Sequence, residues 1–337
     1  MLKIAINGFG RIGRLFFRQG FNNKNFAIVA INDLGNVENL AYLLKYDSVY
    51  GIYDKTVEIK NGNLIVDGQE IKFLQEKDPT KLPWKDLNID VVIESTGVFE
   101  SYEKAKVHLD AGAKKVMITA PAKDEDGVFG GETILVGIND SDLQKTNLCS
   151  NGSCTTNAAS PVIQILSENP GIQKAILSTV HAYTATQNIV DGPVKGNDYR
   201  RGRAGAYNIV PSTTGAAIAV TRAIKELAGK FDGISFRVPV VSGSIADITL
   251  VTKRKTSVEE INNILTQAAA SPRWQGILKV TNEQLVSSDI LGQLYAAIVD
   301  LNFTKVVDGD LVKVLSWYDN EAGYVSTLIK HLQTISF

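Results

Sequence analysis

The chain has 337 residues, 44% of them hydrophobic and 21% charged, with 35 Lys and Arg against 36 Asp and Glu. That length holds one large or two medium domains with a real core, and so even a charge balance gives nucleic acid or an anionic membrane no electrostatic basis as principal partner. Two cysteines, Cys149 and Cys154, are too few for a disulfide framework. Three histidines (His108, His181, His331) without paired cysteines at ligand spacing argue against a zinc site.

The opening residues, MLKIAINGFG, enter a strand pattern at once, without the apolar core of a signal peptide. No apolar run approaches a membrane span, so a cytoplasmic protein is expected. Short β-branched runs at 2–7, 26–32, 90–95, 114–119 and 133–138 read as strands, with helical pieces such as 12–21 and 102–113 between them. Strand–helix alternation with near-continuous apolar strands predicts a parallel sheet covered on both faces.

The second half reads differently. Residues 160–169 are helical and 174–184 form a strand. A Gly- and Arg-rich passage, DGPVKGNDYRRGRAGAYN, follows with no periodicity, then a helix over 215–229. Alternating runs at 234–241, 244–256, 295–309 and 311–319 predict a mostly antiparallel sheet. The expected fold is therefore α/β: a doubly wound parallel-sheet dinucleotide-binding domain over 1–153, and an α+β catalytic domain over 154–317. The C-terminal helix, 318–337, is expected to return to the first domain.

The segment NGFGRIGR places Gly8, Gly10 and Gly13 between the first strand and the first helix. The first glycine permits a tight turn, the second admits a pyrophosphate to the backbone, and the third lets helix and strand pack closely. The pyrophosphate then meets the free N–H groups of a helix start. A glycine turn can also be purely structural. Here Asp33 closes the second strand, twenty residues after Gly13, where an acid meets the adenosine ribose, so dinucleotide binding is the stronger reading.

Cys154 stands among small polar residues in SNGSCTTNAASP, where a helix opens. A thiol at a helix N-terminus has its thiolate favoured by the dipole. A helix to about Ser167 rises roughly 20 Å, and a strand returning from about Gln173 to His181 covers roughly 28 Å, so His181 can come back to the helix start. An adjacent imidazole would lower the thiol pKa and act as general acid and base. Against this, a lone cysteine is usually a small buried hydrophobe and a strand histidine usually structural; Cys149, at a strand end, takes the inert reading. Ser212, Thr213, Thr214 and Gly215 precede another helix, which suits either a capped helix or an anion site. Arg237, on one face of its strand, either pairs with a buried acid or binds phosphate.

With those residues in view, the whole chain resembles the phosphorylating glyceraldehyde-3-phosphate dehydrogenases, the type I family. The resemblance rests on INGFGRIGR, INDL (31–34), KYDSVYG (45–51), ESTG (94–97), SCTTN (153–157), HAYTATQ (181–187), RRGRAGAYNIVPSTTGAA (200–217), FRVPV (236–240) and WYDNEAGY (317–324). It implies oxidation of D-glyceraldehyde 3-phosphate with NAD and inorganic phosphate, through a thiohemiacetal and a thioester on Cys154, with His181 activating the thiol and binding the oxyanion. Thr184 and Arg237 match the family's substrate-phosphate site, while Ser153, Thr155, Thr214 and Gly215 match the attacking-phosphate site. Asn7, Phe9, Gly10, Arg11, Ile12, Asp33, Thr96 and Thr119 fall on cofactor positions, and Asn320 on the residue holding the nicotinamide carboxamide. The resemblance further implies a homotetramer, with residues 183–206 as a loop at a subunit interface beside a neighbour's cofactor.

Three positions depart from the family's usual pattern: Thr186 in place of Asp, Gly192 in place of Leu, and Ala322 in place of Trp. The first and third bear on substrate-phosphate affinity and local packing, the second on cofactor choice. NAD is expected over NADP, because Asp33 would face a 2′-phosphate and Leu34, Gly35 and Asn36 offer no cation. The alternatives are an erythrose-4-phosphate dehydrogenase on the same scaffold, and a non-catalytic dinucleotide-binding redox sensor using Cys154 as a switch.

Overall fold

The computed structural model describes residues 1–194 and 196–335. Lys195, inside the expected interface loop, and Ser336 and Phe337, at the end of the expected terminal helix, lie outside the described residues. The chain divides into two compact units, Met1–Gly152 with the segment from Val325, and Ser153–Tyr324.

The first unit runs β1 (Leu2–Asn7), α1 (Arg11–Gly20), β2 (Phe26–Asn32), α2 (Val37–Lys45), β3 (Tyr46–Asp47), β4 (Gly51–Ile52), β5 (Val57–Lys60), β6 (Asn63–Val66), β7 (Gln69–Leu74), β8 (Val91–Glu94), α3 (Tyr102–Ala105), α4 (Val107–Asp110), β9 (Lys115–Ile118), β10 (Glu132–Thr133) and β11 (Leu148–Ser150). Its main sheet has the order β10-β11-β9-β8-β1-β2-β7-β6-β5. Every neighbour pair from β10 to β7 is parallel, as the apolar runs predict. Trp84, Val92, Tyr102 and Val116 lie in a core packed against it. The register aligns Asn7 with Asn32 on one side and with Glu94 on the other, so three polar side chains line up where the parallel strands end.

Two features of this sheet differ from the sequence reading. Beyond β7, strands β6 and β5 extend it antiparallel. Their hairpin turns are Asn61-Gly62 and Asp67-Gly68, all four residues at positive φ, the dipeptides that two-residue hairpins favour. The expected strand at 133–138 shrinks to Glu132–Thr133. Beyond it the Asn139 side chain receives the Leu135 N–H and donates to the Thr133 carbonyl, both at 2.9 Å, replacing the partners a strand would have needed. Ile134 and Leu135 remain fully buried, so the apolar run marks core rather than sheet.

The second unit contains α5 (Cys154–Glu168), β12 (Ile172–Ala182), β13 (Val210–Thr213), α6 (Ala216–Ala223), β14 (Phe231–Val238), β15 (Ser244–Thr252), α7 (Val258–Ala269), β16 (Leu278–Thr281), β17 (Ala297–Val307) and β18 (Leu311–Tyr318), followed by α8 (Ala322–Thr334). The sheet order is β13-β14-β12-β15-β18-β17-β16, with only β12/β14 and β16/β17 parallel. Alternate residues of β15 (Ala246, Ile248, Leu250) are buried, and α5 packs on the sheet between α6 and α7. The opposite alternation leaves Ile176, Ile234 and Phe303 about half exposed. The final helix begins at Ala322 rather than 318: Tyr318 still belongs to β18, and Asp319 Oδ1 accepts the N–H groups of Glu321 and Ala322 at 2.9 Å.

Candidate active site

In the first unit the glycine turn has the shape its sequence predicts. Gly8 has φ +95°, and a Cβ there would sit 2.6 Å from the Thr96 nitrogen. A Cβ on Gly13 would come within 2.1 Å of the Gly8 carbonyl oxygen, while one on Gly10 would meet nothing, which leaves the helix start open. Gly10 is the N-cap of α1 and supplies no side-chain cap, so the first N–H groups of the helix point outward. A cleft of about 460 Å³ lies beside them, lined by Asn7, Gly8, Gly10, Asn32, Asp33 and Thr96 among others.

Asp33 is oriented in advance of any ligand. Its Oδ2 accepts the Phe9 N–H at 2.6 Å and its Oδ1 the Gly35 N–H at 2.7 Å, which leaves each oxygen a lone pair for a ribose hydroxyl. The Phe9 ring is buried against Phe17, so this residue serves the turn through its backbone. Asn7 donates to Glu94 at 2.6 Å and accepts from Asn32 at 2.8 Å. Thr96 gives both its N–H and its hydroxyl to Glu94 Oε1, and Thr119 bonds the Glu94 carbonyl. Ile12 and Thr119 line a smaller adjoining hollow. Arg11 departs from a simple phosphate-binding role for its side chain: the guanidinium is paired with Asp47 at 2.7 Å and lies over Tyr50. Its backbone remains at the open helix start. The open turn, the oriented acid and the cleft fit a dinucleotide.

In the second unit α5 begins at Cys154 because Ser153 caps it. Ser153 Oγ accepts the Thr156 N–H and Thr156 Oγ1 accepts the Ser153 N–H, both at 3.1 Å, a reciprocal capping box. Strand β12 then returns His181 to this point, with Nε2 3.3 Å from Cys154 Sγ. Arg237 on β14 is the register partner of His181, a neighbour the sequence reading had not paired with it. Its Nη1 lies 2.8 Å from His181 Nδ1 and 3.2 Å from the Ala182 carbonyl oxygen. His181 Nδ1 is itself 2.6 Å from that oxygen. A carbonyl can accept from both groups, whereas Nδ1 cannot donate and accept at once. Both therefore donate to Ala182, and Nε2 faces the sulfur with its lone pair.

Burial, then the Arg237 cation, hold the His181 imidazole down to about 3. Burial likewise pushes the Cys154 thiol up, with Arg237 and the Thr155 hydrogen bonds pulling the other way. The resting pair is accordingly a neutral thiol beside a neutral base, not the thiolate that a helix dipole alone would suggest. Cys149 lies buried on β11, its Sγ against the Val116 carbonyl, and burial pushes its thiol up to about 12.

The expected anion residues divide. Thr184 Oγ1 meets Thr186 Oγ1 at 2.9 Å, and Arg201 reaches Thr186 Oγ1 at 3.4 Å and Ser212 Oγ at 2.9 Å. Arg201 is close enough to Arg237 to act on it electrostatically. Sequence reading passed over this second cation, although it stands in the RRGR run. Gly215 is exposed at the start of α6 without a side-chain cap, and Thr214 Oγ1 accepts the Ala216 N–H at 3.2 Å. Ser153 spends its hydroxyl on the capping box. Thr155 Oγ1 lies 2.9 Å from the hydroxyl of the buried Tyr318. Asn320 Oδ1 accepts from Gly243 N–H at 3.1 Å and Ser244 Oγ at 2.9 Å, which fixes its amide nitrogen as the end left to donate. A second hollow, about 660 Å³, lies toward the other end of β12 around Lys174 and Lys230 and contains none of these residues. Among the described residues no cluster of His, Cys, Asp and Glu could hold a metal ion, and no helix is long and apolar enough to cross a membrane.

Residues 2–102 match the family model described as glyceraldehyde 3-phosphate dehydrogenase, NAD binding domain, and residues 153–320 match that of the C-terminal domain. The glyceraldehyde-3-phosphate dehydrogenases of Borreliella burgdorferi and Thermotoga maritima are each 49% identical, over 99% of this chain and 99% of theirs. That of Clostridium pasteurianum is 45% identical over 99% of this chain and 98% of its own. Neither the tetrose-phosphate reading nor the redox-sensor reading gains support from these matches. The chain belongs to the glyceraldehyde-3-phosphate dehydrogenase family, with an NAD-binding domain followed by that family's C-terminal domain.

Proposed function

We propose that the protein is a phosphorylating dehydrogenase that converts D-glyceraldehyde 3-phosphate, NAD and inorganic phosphate to 1,3-bisphosphoglycerate. It is an NAD-dependent oxidoreductase, and the observation that carries the mechanism is the Cys154 sulfur 3.3 Å from Nε2 of His181. The sulfur attacks the aldehyde carbon while its proton passes to Nε2, and the imidazolium then donates to the forming alkoxide to give a thiohemiacetal. NAD, when bound, supplies the acceptor for the hydride. His181 takes back the hydroxyl proton as the carbonyl re-forms, which leaves a thioester on Cys154. Inorganic phosphate attacks that carbonyl, and the sulfur departs as a thiolate.

Arg237 makes the substrate part of the switch. Its charge opposes protonation of His181 in the free protein. A substrate phosphate paired with Arg237 offsets that charge and raises the imidazole's affinity for the thiol proton when an aldehyde is present. Thr184 and Arg201 complete this anion site, with Thr186 leaving Arg201 a hydroxyl where Asp would have placed a competing carboxylate. Thr214 and Gly215, at the open start of α6, take the attacking phosphate, and Asn320 holds the nicotinamide carboxamide as the resemblance implies. Assembly as a homotetramer is supported by the half-exposed apolar face of the second sheet and by exposed Ile189, Val190, Tyr199 and Tyr207 in the loop. The test is NADH formation from triose phosphate with and without inorganic phosphate, and from erythrose 4-phosphate. Sustained phosphate-dependent turnover of the triose is expected. Phosphate-independent release of the free acid, or preference for the tetrose, would contradict it.

A further inference from the structure

Asn7 and Thr96 both line the cleft beside the start of α1, and both are bonded to one buried carboxylate. Glu94 Oε2 accepts from Asn7 Nδ2 at 2.6 Å, while Oε1 accepts the Thr96 N–H at 2.8 Å and the Thr96 hydroxyl. Behind Glu94 stands His108 on α4, fully buried, with Nε2 3.0 Å from Oε2. Behind His108 stands Trp84, equally buried in the connection between β7 and β8, with Nε1 3.1 Å from Nδ1.

Counting hydrogens fixes the orientations along this line. An indole N–H can only donate, so His108 Nδ1 accepts and the ring's hydrogen sits on Nε2, facing Glu94. The pair is an imidazole donating to a carboxylate. Four hydrogens converge on the two oxygens of Glu94, an arrangement that only a group without hydrogens of its own can accept. Asn7 is then oriented from both sides: Nδ2 gives to Glu94, and Oδ1 takes from Asn32 at 2.8 Å. Asn7 Nδ2 also lies 3.3 Å from His108 Nε2, but that nitrogen carries a hydrogen and cannot accept. One amide hydrogen of Asn7 therefore has no acceptor among the described residues, in a side chain that lines the cleft.

Resting on the reading that NAD occupies this cleft, we propose that Trp84, His108 and Glu94 form a buried support that sets Asn7 and Thr96 for the dinucleotide, with His108 as its positioning residue. Phe99, which lines the same cleft, stands edge-on to the imidazole, 5.5 Å between centroids. The ring itself is wholly enclosed, so His108 acts on a ligand only through its neighbours. Glu94 also shapes the chain after β8. The Thr96 hydroxyl that it accepts receives in turn the Val98 N–H at 3.0 Å, and Ser95 Oγ donates to the Gly8 carbonyl at 2.7 Å. The turn after β8 is thereby tied to the glycine turn. Binding then spares the ordering of two side chains that are already held.

The test is the dissociation constant of NAD by isothermal titration calorimetry, measured beside the melting temperature of the free protein. His108→Leu, which keeps apolar bulk and removes both donor and acceptor, is expected to weaken NAD binding by about tenfold. His108→Gln, whose amide can still donate to Glu94, is expected to recover most of that loss. Glu94→Gln keeps the side chain's shape but must turn an N–H toward either the Asn7 and His108 donors or Thr96. It is expected to weaken binding at least as much as His108→Leu. A melting temperature that falls in His108→Leu while NAD affinity stays within about twofold of the parent would overturn the proposal and leave a plain core network. Equal behaviour of His108→Gln and His108→Leu would overturn it as well. Should His108→Leu not fold, Glu94→Gln carries the same decision, and parent affinity there refutes the support. A parent protein that binds no NAD would refute the cofactor reading itself, whereas a parent that binds, matched by the variants, refutes this inference alone.

Discussion

Cys149 and Cys154 are five residues apart and chemically opposite. Cys149 lies on β11 inside a parallel sheet, its sulfur 3.6 Å from the Val116 carbonyl. Cys154 opens a helix, where its sulfur stands 3.3 Å from the His181 imidazole and within the electrostatic reach of Arg237. Burial raises both thiols; at Cys149 only the Lys115 cation opposes it, whereas at Cys154 the Arg237 cation and hydrogen-bond donors do. Reactivity here comes from what stands around the sulfur rather than from exposure or helix position alone.

The largest expected effect breaks the comparison directly. Cys154→Ser should abolish phosphorylating activity, because a serine hydroxyl neither ionises readily nor forms the thioester, whereas Cys149→Ser should keep most of it; initial-rate assays of the two purified variants check this. Loss of activity on replacing Cys149 alone would reverse the assignment.

His181→Asn should reduce acylation by about 10²–10⁴-fold by removing the proton acceptor, measured as the pre-steady-state NADH burst. The same variant sharpens the account through stability. His181 is held to about 3 in the fold against 6.5 unperturbed, so between those values the unfolded chain binds a proton that the folded chain does not. Stability therefore falls as pH drops through that window. Denaturant titrations at stepped pH should show a shallower decline for His181→Asn.

Much of this was legible in sequence, and for identifiable reasons. Glycine spacing with Asp33 reports a backbone geometry that only those residues permit, and helix and strand rises sufficed to bring His181 back to Cys154. What escaped depends on register across strands far apart in sequence. Nothing local pairs Arg237 with His181, or sets Tyr318 between Thr155 and Thr179. The Asn61-Gly62 and Asp67-Gly68 turns did carry a hairpin signal, passed over because the strands around them are short. Asn139 shortened the strand at 133–138 through side-chain bonds that no hydrophobic pattern encodes.

A smaller effect concerns the other unit, where a carboxylate rather than a thiol carries selectivity. A 2′-phosphate beside Asp33 meets repulsion that screening reduces to about 1–3 kcal/mol, or about ten- to a hundredfold preference for NAD. Asp33→Ala should shrink that ratio of kcat/KM values, and an unchanged ratio would remove Asp33 as its cause. Because Asp33 also anchors the Phe9 and Gly35 N–H groups, some loss of affinity for both cofactors is expected in the same titration.

The most direct measurement is mass spectrometry of the protein mixed with D-glyceraldehyde 3-phosphate and NAD in the absence of inorganic phosphate, quenched in acid and digested. The account predicts a 3-phosphoglyceroyl thioester on the peptide bearing Cys154, none on Cys149, and its disappearance when phosphate is added before the quench. NADH formed without an acyl adduct on Cys154, or an adduct that phosphate does not discharge, would contradict it.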